Sequence, residues 1–159
     1  MIALARGLLV LLWIVLSFPF LCLYMLINTS KNRNLYVACR AYSVINKIFR
    51  VRVDVRGFDS VPTTRPYIYV ANHHCNYDVL IVAQALNPGT VIVGKKSLKW
   101  LPLVGQLYWL TGSLFIDRNS PRASIQSLRK IAKRVVADNT SLWIFPEGTR
   151  SHGGEMLPF

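Results

Sequence analysis

Acidic residues are scarce: seven Asp and Glu among 159 residues, against nineteen Lys and Arg, a formal balance of +12. So basic a chain meets nucleic acid, anionic lipid or phosphorylated substrates. Cysteine is scarce too. Cys22, Cys39 and Cys75 are odd in number and widely spaced, with no C-x-x-C. That excludes a disulfide framework and fits a reducing compartment, with Cys22 and Cys39 read as small apolar packing residues. There is no internal repeat and no low-complexity linker, and the length suits a single domain with a real core. No G-x-S-x-G occurs, so the sharp turn that presents a nucleophilic serine in many hydrolases is missing. Gly89 to Lys95 matches the start of a P-loop, but Lys96 stands where Ser or Thr must hold magnesium. The intervening TVIV is moreover strand-forming, so a nucleotide-binding loop is rejected.

What the chain has in plenty is apolar sequence, at 52% of residues. Gly7 to Ile27 carries no charge, and a helix of that length matches the thickness of a hydrocarbon core. The run exceeds a usual secretory core and no A-x-A follows, so a retained anchor is expected in place of a cleaved signal. Pro19 would bend it, which leaves a half-inserted anchor open beside a spanning one. Only Arg6 precedes the run, whereas Lys31, Arg33, Arg40, Lys47, Arg50, Arg52 and Arg56 follow it. The bulk of the protein is therefore expected on the cytoplasmic side of an inner membrane. Most aromatics lie in apolar runs and are not interleaved with exposed cations, which argues for lipid and against nucleic acid.

Periodicity organises the rest. Asn34 to Phe49 has helical spacing and reads equally as a core helix or a basic helix on a bilayer surface. Val51 to Val55 (VRVDV) reads as a strand, Gly57 to Arg65 as a turn, and Tyr67 to Ala71 as a buried strand. Asp78 to Leu86 is helical, Thr90 to Val93 a strand, Leu103 to Leu110 a short helix and Ser113 to Ile116 a strand. Pro121 to Ala137 is an amphipathic helix capped by Ser120, and Ser141 to Phe145 a further strand. Alternating strands and helices make an α/β domain around a mainly buried sheet. The sequence stops at Leu157-Pro158-Phe159 without a closing element, so a longer chain is expected.

Three polar clusters each follow an apolar strand: ANHHCNYD after YIYV, IDRN after SLF, and FPEGTRS after SLWI. Three of the seven acids (Asp78, Asp117, Glu147) fall in them, and ligands of open α/β sheets bind at the carboxyl ends of strands. On a regular helix His74 would share a face with Asp78, but a turn at Asn72 lets His73 meet that carboxylate across the bend. The residues alone leave both histidines open. Either pair suits a base that deprotonates a substrate hydroxyl. His73, His74, Cys75 and Asp78 are too compact for a usual zinc site and lack a second ligand pair, so no metal is expected. In FPEGTRS, Pro146 and Gly148 impose a turn that holds Glu147 and Arg150 at the sheet edge. Arg150 and Arg118 suit a phosphate, with Lys95 and Lys96 as further attracting charges, and Glu147 suits a substrate hydroxyl or an arginine.

NHHCNYD resembles the N-H-x-x-x-x-D box of the glycerolipid acyltransferases, and GSLFIDR and FPEGTRS resemble their second and third boxes, in the right order and spacing. VGKKSLKWLPLVGQLYWLTG is similar to the bacterial 1-acyl-sn-glycerol-3-phosphate acyltransferases. The resemblance implies a mainly buried mixed sheet flanked by helices, as in glycerol-3-phosphate acyltransferase-like folds, with an N-terminal membrane helix. It implies an anchor and basic helix over 1–50 and a catalytic domain over 51–159 that continues further, because the family's fourth box, an apolar stretch with proline, would lie beyond Phe159. By position, His73 becomes the general base and Asp78 its orienting partner, while Arg118, Glu147, Gly148 and Arg150 bind the glycerophosphate. The implied partners are a membrane lysolipid and acyl-CoA or acyl-carrier protein. No cofactor is implied beyond that thioester co-substrate.

Overall fold

The computed structural model describes residues 1–28, 30–57, 60–62, 64, 66–151 and 154–155, with the side chain of residue 32 left aside. The turn expected over Gly57–Arg65 lies partly outside these residues, and the expected open end at Leu157 to Phe159 wholly so.

The apolar N-terminus forms one helix, α1 (Ile2–Ile27), which continues through Pro19 and ends where Asn28 turns extended. Only 11% of its most apolar 18-residue window is buried. The segment expected as one helix over 34–49 begins earlier and is divided: α2 (Lys31–Tyr42) and α3 (Val44–Phe49) meet at Ser43. The division is physical. Asn34 and Asn46 are both buried to 1% exposure and need partners on other elements, which a single straight helix would not reach. Asn34 Nδ2 donates to the Leu110 carbonyl at 3.1 Å and to Met25 and Asn28 carbonyls at 3.4 Å. Asn46 Nδ2 donates to the Leu80 carbonyl at 2.8 Å.

The strands are β1 (Ile68–Val70), β2 (Thr90–Lys95), β3 (Leu114–Ile116) and β4 (Ser141–Ile144), in spatial order β1-β4-β2-β3. All three pairings are parallel, a correction to the expected mixed sheet within the α/β class that is found. Parallel pairing follows from the helical connections between strands. These are α4 (Asp78–Ala85), a 3₁₀ turn (Lys96–Trp100) leading into α5 (Val104–Leu110), and α6 (Pro121–Ala137). At the start of α6, Pro121 fills the first turn and the Ser120 hydroxyl accepts the Ala123 amide at 3.1 Å, as the capping pattern predicts.

VRVDV, expected as a strand, forms none: Val51–Arg56 runs unpaired, with only Val53 half-buried. Alternation specifies a face, but a strand forms only when it is bonded into a ladder, and among the described residues this segment pairs with neither open edge of the sheet.

Both faces of the central strands β2 and β4 are covered, which is why they read as continuous apolar runs, whereas edge strand β1, expected to be buried, leaves Ile68 and Val70 exposed on one face. Ile92 and Trp143 face Leu35, Cys39, Val82 and Ala83 of α2 and α4. Their neighbours Val91, Val93 and Leu142 face Ile131 of α6. A third cluster, Leu21, Met25 and Ala38 with Leu107 and Leu110, binds α1 to α2 and α5. Because every strand points the same way, the ends of β1, β2, β3 and β4 deliver their following loops to one edge.

Candidate active site

Four loops meet at that edge. After β1 the chain turns before α4 begins, so the ANHHCNYD segment starts as a bend. His73 sits in the bend, and its Nδ1 lies 2.7 Å from Asp78 Oδ2. Both side chains are largely buried, at 14% and 13% exposure. Asp78 lies in the first turn of α4 and also accepts the Cys75 amide at 2.9 Å. Burial pushes its carboxyl up, but the Cys75 amide, the His73 ring and the His74 amide outweigh that and hold it below the ordinary carboxylate value. An ionised Asp78 therefore fixes the His73 proton on Nδ1 and leaves Nε2 as the nitrogen with a free lone pair. His74, favoured by helical spacing, points elsewhere: its Nδ1 meets the Ser151 hydroxyl at 2.8 Å.

The loop after β4 holds the loop after β1 in place. Glu147 Oε1 accepts the His73 backbone amide at 2.8 Å, and the Ser151 amide donates to the His73 carbonyl at 2.9 Å. Phe145 stacks on the His73 ring, with centroids 4.3 Å apart and planes inclined by 24°. Sequence reasoning had offered Glu147 to a substrate hydroxyl or an arginine; its hydrogen bond to the amide beside the base was not foreseen. Gly148 follows with φ of +69°, a conformation that favours glycine. Its carbonyl accepts a bond from the Arg118 guanidinium, which joins the β3 loop to the β4 loop. Burial lowers the Arg118 pKa, though an arginine stays charged at neutral pH. The Lys96 ammonium is 2.7 Å from Asp117 Oδ2 and, with the Asn119 amide, holds that carboxyl below its usual value.

These loops enclose a cavity of about 460 Å³. His73, Lys95, Arg118, Gly148 and Arg150 all line it, together with Phe145. Asp78 and Glu147 stand behind His73, outside the lining. The wall therefore shows three cations and no carboxylate among the described residues. An anion with a hydroxyl near His73 is what this charge arrangement accommodates.

A second cavity, about 260 Å³ and apolar, runs between α1, α2, α4 and α5. Val79, Ile92 and Tyr108 line both cavities, so the two adjoin. Gly94 permits this junction: a Cβ there would lie 2.6 Å from Tyr108 Cε1. Nothing in the sequence reading marked the apolar cavity, because its walls use the same residue types as an ordinary core. The signal available was Gly94 inside an otherwise β-branched strand, where glycine marks a close approach. Among the described residues, no group of three or more His, Cys, Asp or Glu has metal-site geometry.

Comparison with known proteins agrees with this arrangement. The chain is 36% identical over its whole length to the 1-acyl-sn-glycerol-3-phosphate acyltransferase of Haemophilus influenzae and 34% identical to that of Escherichia coli. It is 38% identical over 112 residues, 70% of its length, to the mouse 1-acyl-sn-glycerol-3-phosphate acyltransferase alpha, covering 39% of that protein. It spans 66% of the Haemophilus protein and 65% of the Escherichia one, about two thirds of each. The crystal structure of the 1-acyl-sn-glycerophosphate acyltransferase of Thermotoga maritima shares the fold, with a TM-score of 0.69 and 23% identity over 99% of this chain and 66% of that one. The family model described as Acyltransferase matches residues 52–159, which is well over half of the sequence and includes every loop of the site. On that match, the chain belongs to the acyltransferase family.

Proposed function

We propose that the protein transfers a fatty acyl group from a thioester donor, acyl-CoA or acyl-carrier protein, to the sn-2 hydroxyl of 1-acyl-glycerol-3-phosphate, producing phosphatidic acid. The observation that carries this reading is the His73–Asp78 pair, 2.7 Å apart, on a cavity whose other polar wall is Lys95, Arg118 and Arg150. The naming of the curated relatives supports the same acceptor.

In this mechanism the phosphate of the acceptor sits among the three cations and its hydroxyl meets His73 Nε2. The nitrogen takes the hydroxyl proton as the oxygen attacks the thioester carbonyl, forming the new C–O bond. Asp78 stabilises the imidazolium that results. The tetrahedral intermediate collapses by breaking the C–S bond, and the departing thiolate takes the proton back from His73. A thiolate is a good leaving group, so this chemistry calls for no metal and no cofactor beyond the donor thioester. The apolar cavity adjoining the site at Tyr108 suits the fatty chain of the reacting acyl group.

The acceptor and product are membrane lipids, and α1 is the element suited to the bilayer. It packs on α2 and α5 through Leu21 and Met25, while Leu4, Leu8 and Leu12 toward its start and Phe20, Leu23 and Leu26 toward its end stay exposed. We read α1 as embedded from its N-terminal half in the cytoplasmic leaflet side of the inner membrane, with the catalytic domain facing the cytoplasm.

The test is acyl transfer by the purified chain, in detergent or vesicles, to a panel of acceptors: 1-acyl-glycerol-3-phosphate, glycerol 3-phosphate and lysophosphatidylcholine. Each is offered with both thioester donors. Phosphatidic acid formation that disappears with His73→Ala and persists with His74→Ala is expected. A folded chain that makes no phosphatidic acid with either donor would sink the reading.

A further inference from the structure

The segment between β2 and β3 carries an apolar surface that stays exposed to solvent even where Leu103 and Val104 also line the apolar cavity. The 3₁₀ turn ends at Trp100, which is 80% exposed, and Leu101, Leu103 and Val104 beside it are exposed as well. Trp109 on α5 adds a second indole, 66% exposed. Two surface tryptophans and three branched residues within ten positions are costly in water and call for a partner.

The elbow is built to hold that shape. Gly105 lies so close to the backbone of Lys99 that a Cβ would overlap the Lys99 carbonyl. Leu103 adopts φ of +64°, a left-handed conformation that glycine would occupy without strain. A leucine kept there in spite of that strain has its side chain to contribute.

Position says which partner. Asn34 bonds both the Met25 and Leu110 carbonyls, so the C-terminal end of α5 is pinned to the C-terminal end of α1. Leu107 packs with Leu21 and Met25, whereas Leu103 and Val104 share a cavity wall with Ile14. The helix α5 therefore runs back along α1, and the elbow lies level with the middle of the exposed anchor, near Ile14. Charge agrees: Lys99 lies 5.5 Å from the Trp100 ring centre, and the Lys96 side chain is 64% exposed nearby. Indoles with lysines at their margin are the composition of a bilayer interface, where lysine meets anionic headgroups.

We infer that the Lys96–Val104 elbow, with Trp109, is a second membrane-contacting surface, seated in the interface of an anionic bilayer beside α1. This inference rests on the reading of α1 as embedded. It brings Lys95, Leu98 and Tyr108, which line the reaction cavity, to the lipid surface, so a lysolipid reaches the three cations by lateral movement.

Tryptophan quenching by lipids brominated in their acyl chains tests it on the full chain. Three versions keep the buried Trp143 as background and add one reporter each: Trp100, Trp109, or Leu12→Trp on α1, with the remaining tryptophans changed to Phe. On phosphatidylglycerol vesicles, quenching of Trp100 and Trp109 along with the α1 reporter is expected. Quenching of the α1 reporter alone overturns the elbow inference and leaves the anchor standing. Quenching of none overturns both. In the native chain, Lys99→Glu with Trp100→Glu is expected to weaken sedimentation with phosphatidylglycerol vesicles by roughly fivefold or more, and with phosphatidylcholine vesicles by less. Unchanged vesicle affinity with turnover lost only for acyl-carrier protein donors would instead assign the surface to an acidic protein.

Discussion

The carboxylate of Glu147 accepts the backbone amide of His73 at 2.8 Å, joining residues 74 positions apart in the chain. The acid of the FPEGTRS loop thus supports the proposed base through the main chain, while Phe145 supports it through the ring. Glu147→Gln keeps an acceptor but loses the charge, and Glu147→Ala loses both. Steady-state kinetics should show kcat falling by about tenfold for the first and by about a hundredfold or more for the second. KM for the lysolipid should change little in each. A rise confined to KM would instead place Glu147 on the substrate.

The three cations of the cavity are expected to bind the acceptor phosphate. Arg150→Ala and Lys95→Ala should each raise the acceptor KM, by roughly ten- to a hundredfold, with a smaller change in kcat. Arg118→Ala should do more, because the same guanidinium also bonds the Gly148 carbonyl. Comparing acceptors with and without a phosphate checks the assignment: the penalty should vanish for a lysolipid that lacks one.

Asp78 makes stability depend on pH in one direction. Its carboxyl titrates below the ordinary value of 3.8 in the folded chain. A carboxyl lowered in this way adds stability that is fully present above 3.8 and is lost as pH falls through the lower folded value. The melting-temperature gap between the native protein and Asp78→Asn should therefore persist down to the ordinary value of 3.8 and close below it, as pH falls through the lower folded value. A gap that widened on acidification would show that Asp78 is not held as the anion.

Asn34 is the polar joint of the membrane-proximal helices. Its side chain touches carbonyls of Met25 and Asn28 at the end of α1 and of Leu110 at the end of α5. Asn34→Leu removes the donor and leaves those carbonyls buried, at a cost of about 1–3 kcal/mol. Thermal unfolding in detergent should register it as a drop of several degrees. Surface substitutions on the exposed face of α6, such as Lys130→Gln, should leave the midpoint within error.

Much of the domain was legible because its central strands, β2 and β4, are buried on both faces and its longest connecting helix has marked ends. The capping Ser120 and Pro121 set the start of α6 where the structure has it. The short run TVIV, kept from a P-loop reading by its β-branched residues, is the core of β2. What escaped needed tertiary knowledge. VRVDV alternates as a strand does, yet it pairs with neither open edge of the sheet among the described residues. At the break Ser43 turns its hydroxyl back onto the Arg40 carbonyl at 2.7 Å, a competition with the helix ladder that the periodicity of 34–49 does not register. Helix periodicity chose His74 because it assumes a helix that does not start until Asp78. The family resemblance chose His73, the histidine that meets Asp78 in the structure. The backbone role of Glu147 had no sequence signature at all, since a main-chain partner leaves no side-chain pattern to read.

The pairing of β1 with β4 has a consequence for how the protein is made. β1 bonds to no other strand among the described residues, and it is translated some seventy residues before its partner. As the nascent chain leaves the ribosome, α1 can enter lipid and β2 can find β3 while the histidine loop still lacks its neighbour. The reactive centre is therefore completed late in synthesis, when Ser141–Ile144 pairs with β2 and gives β1 its ladder.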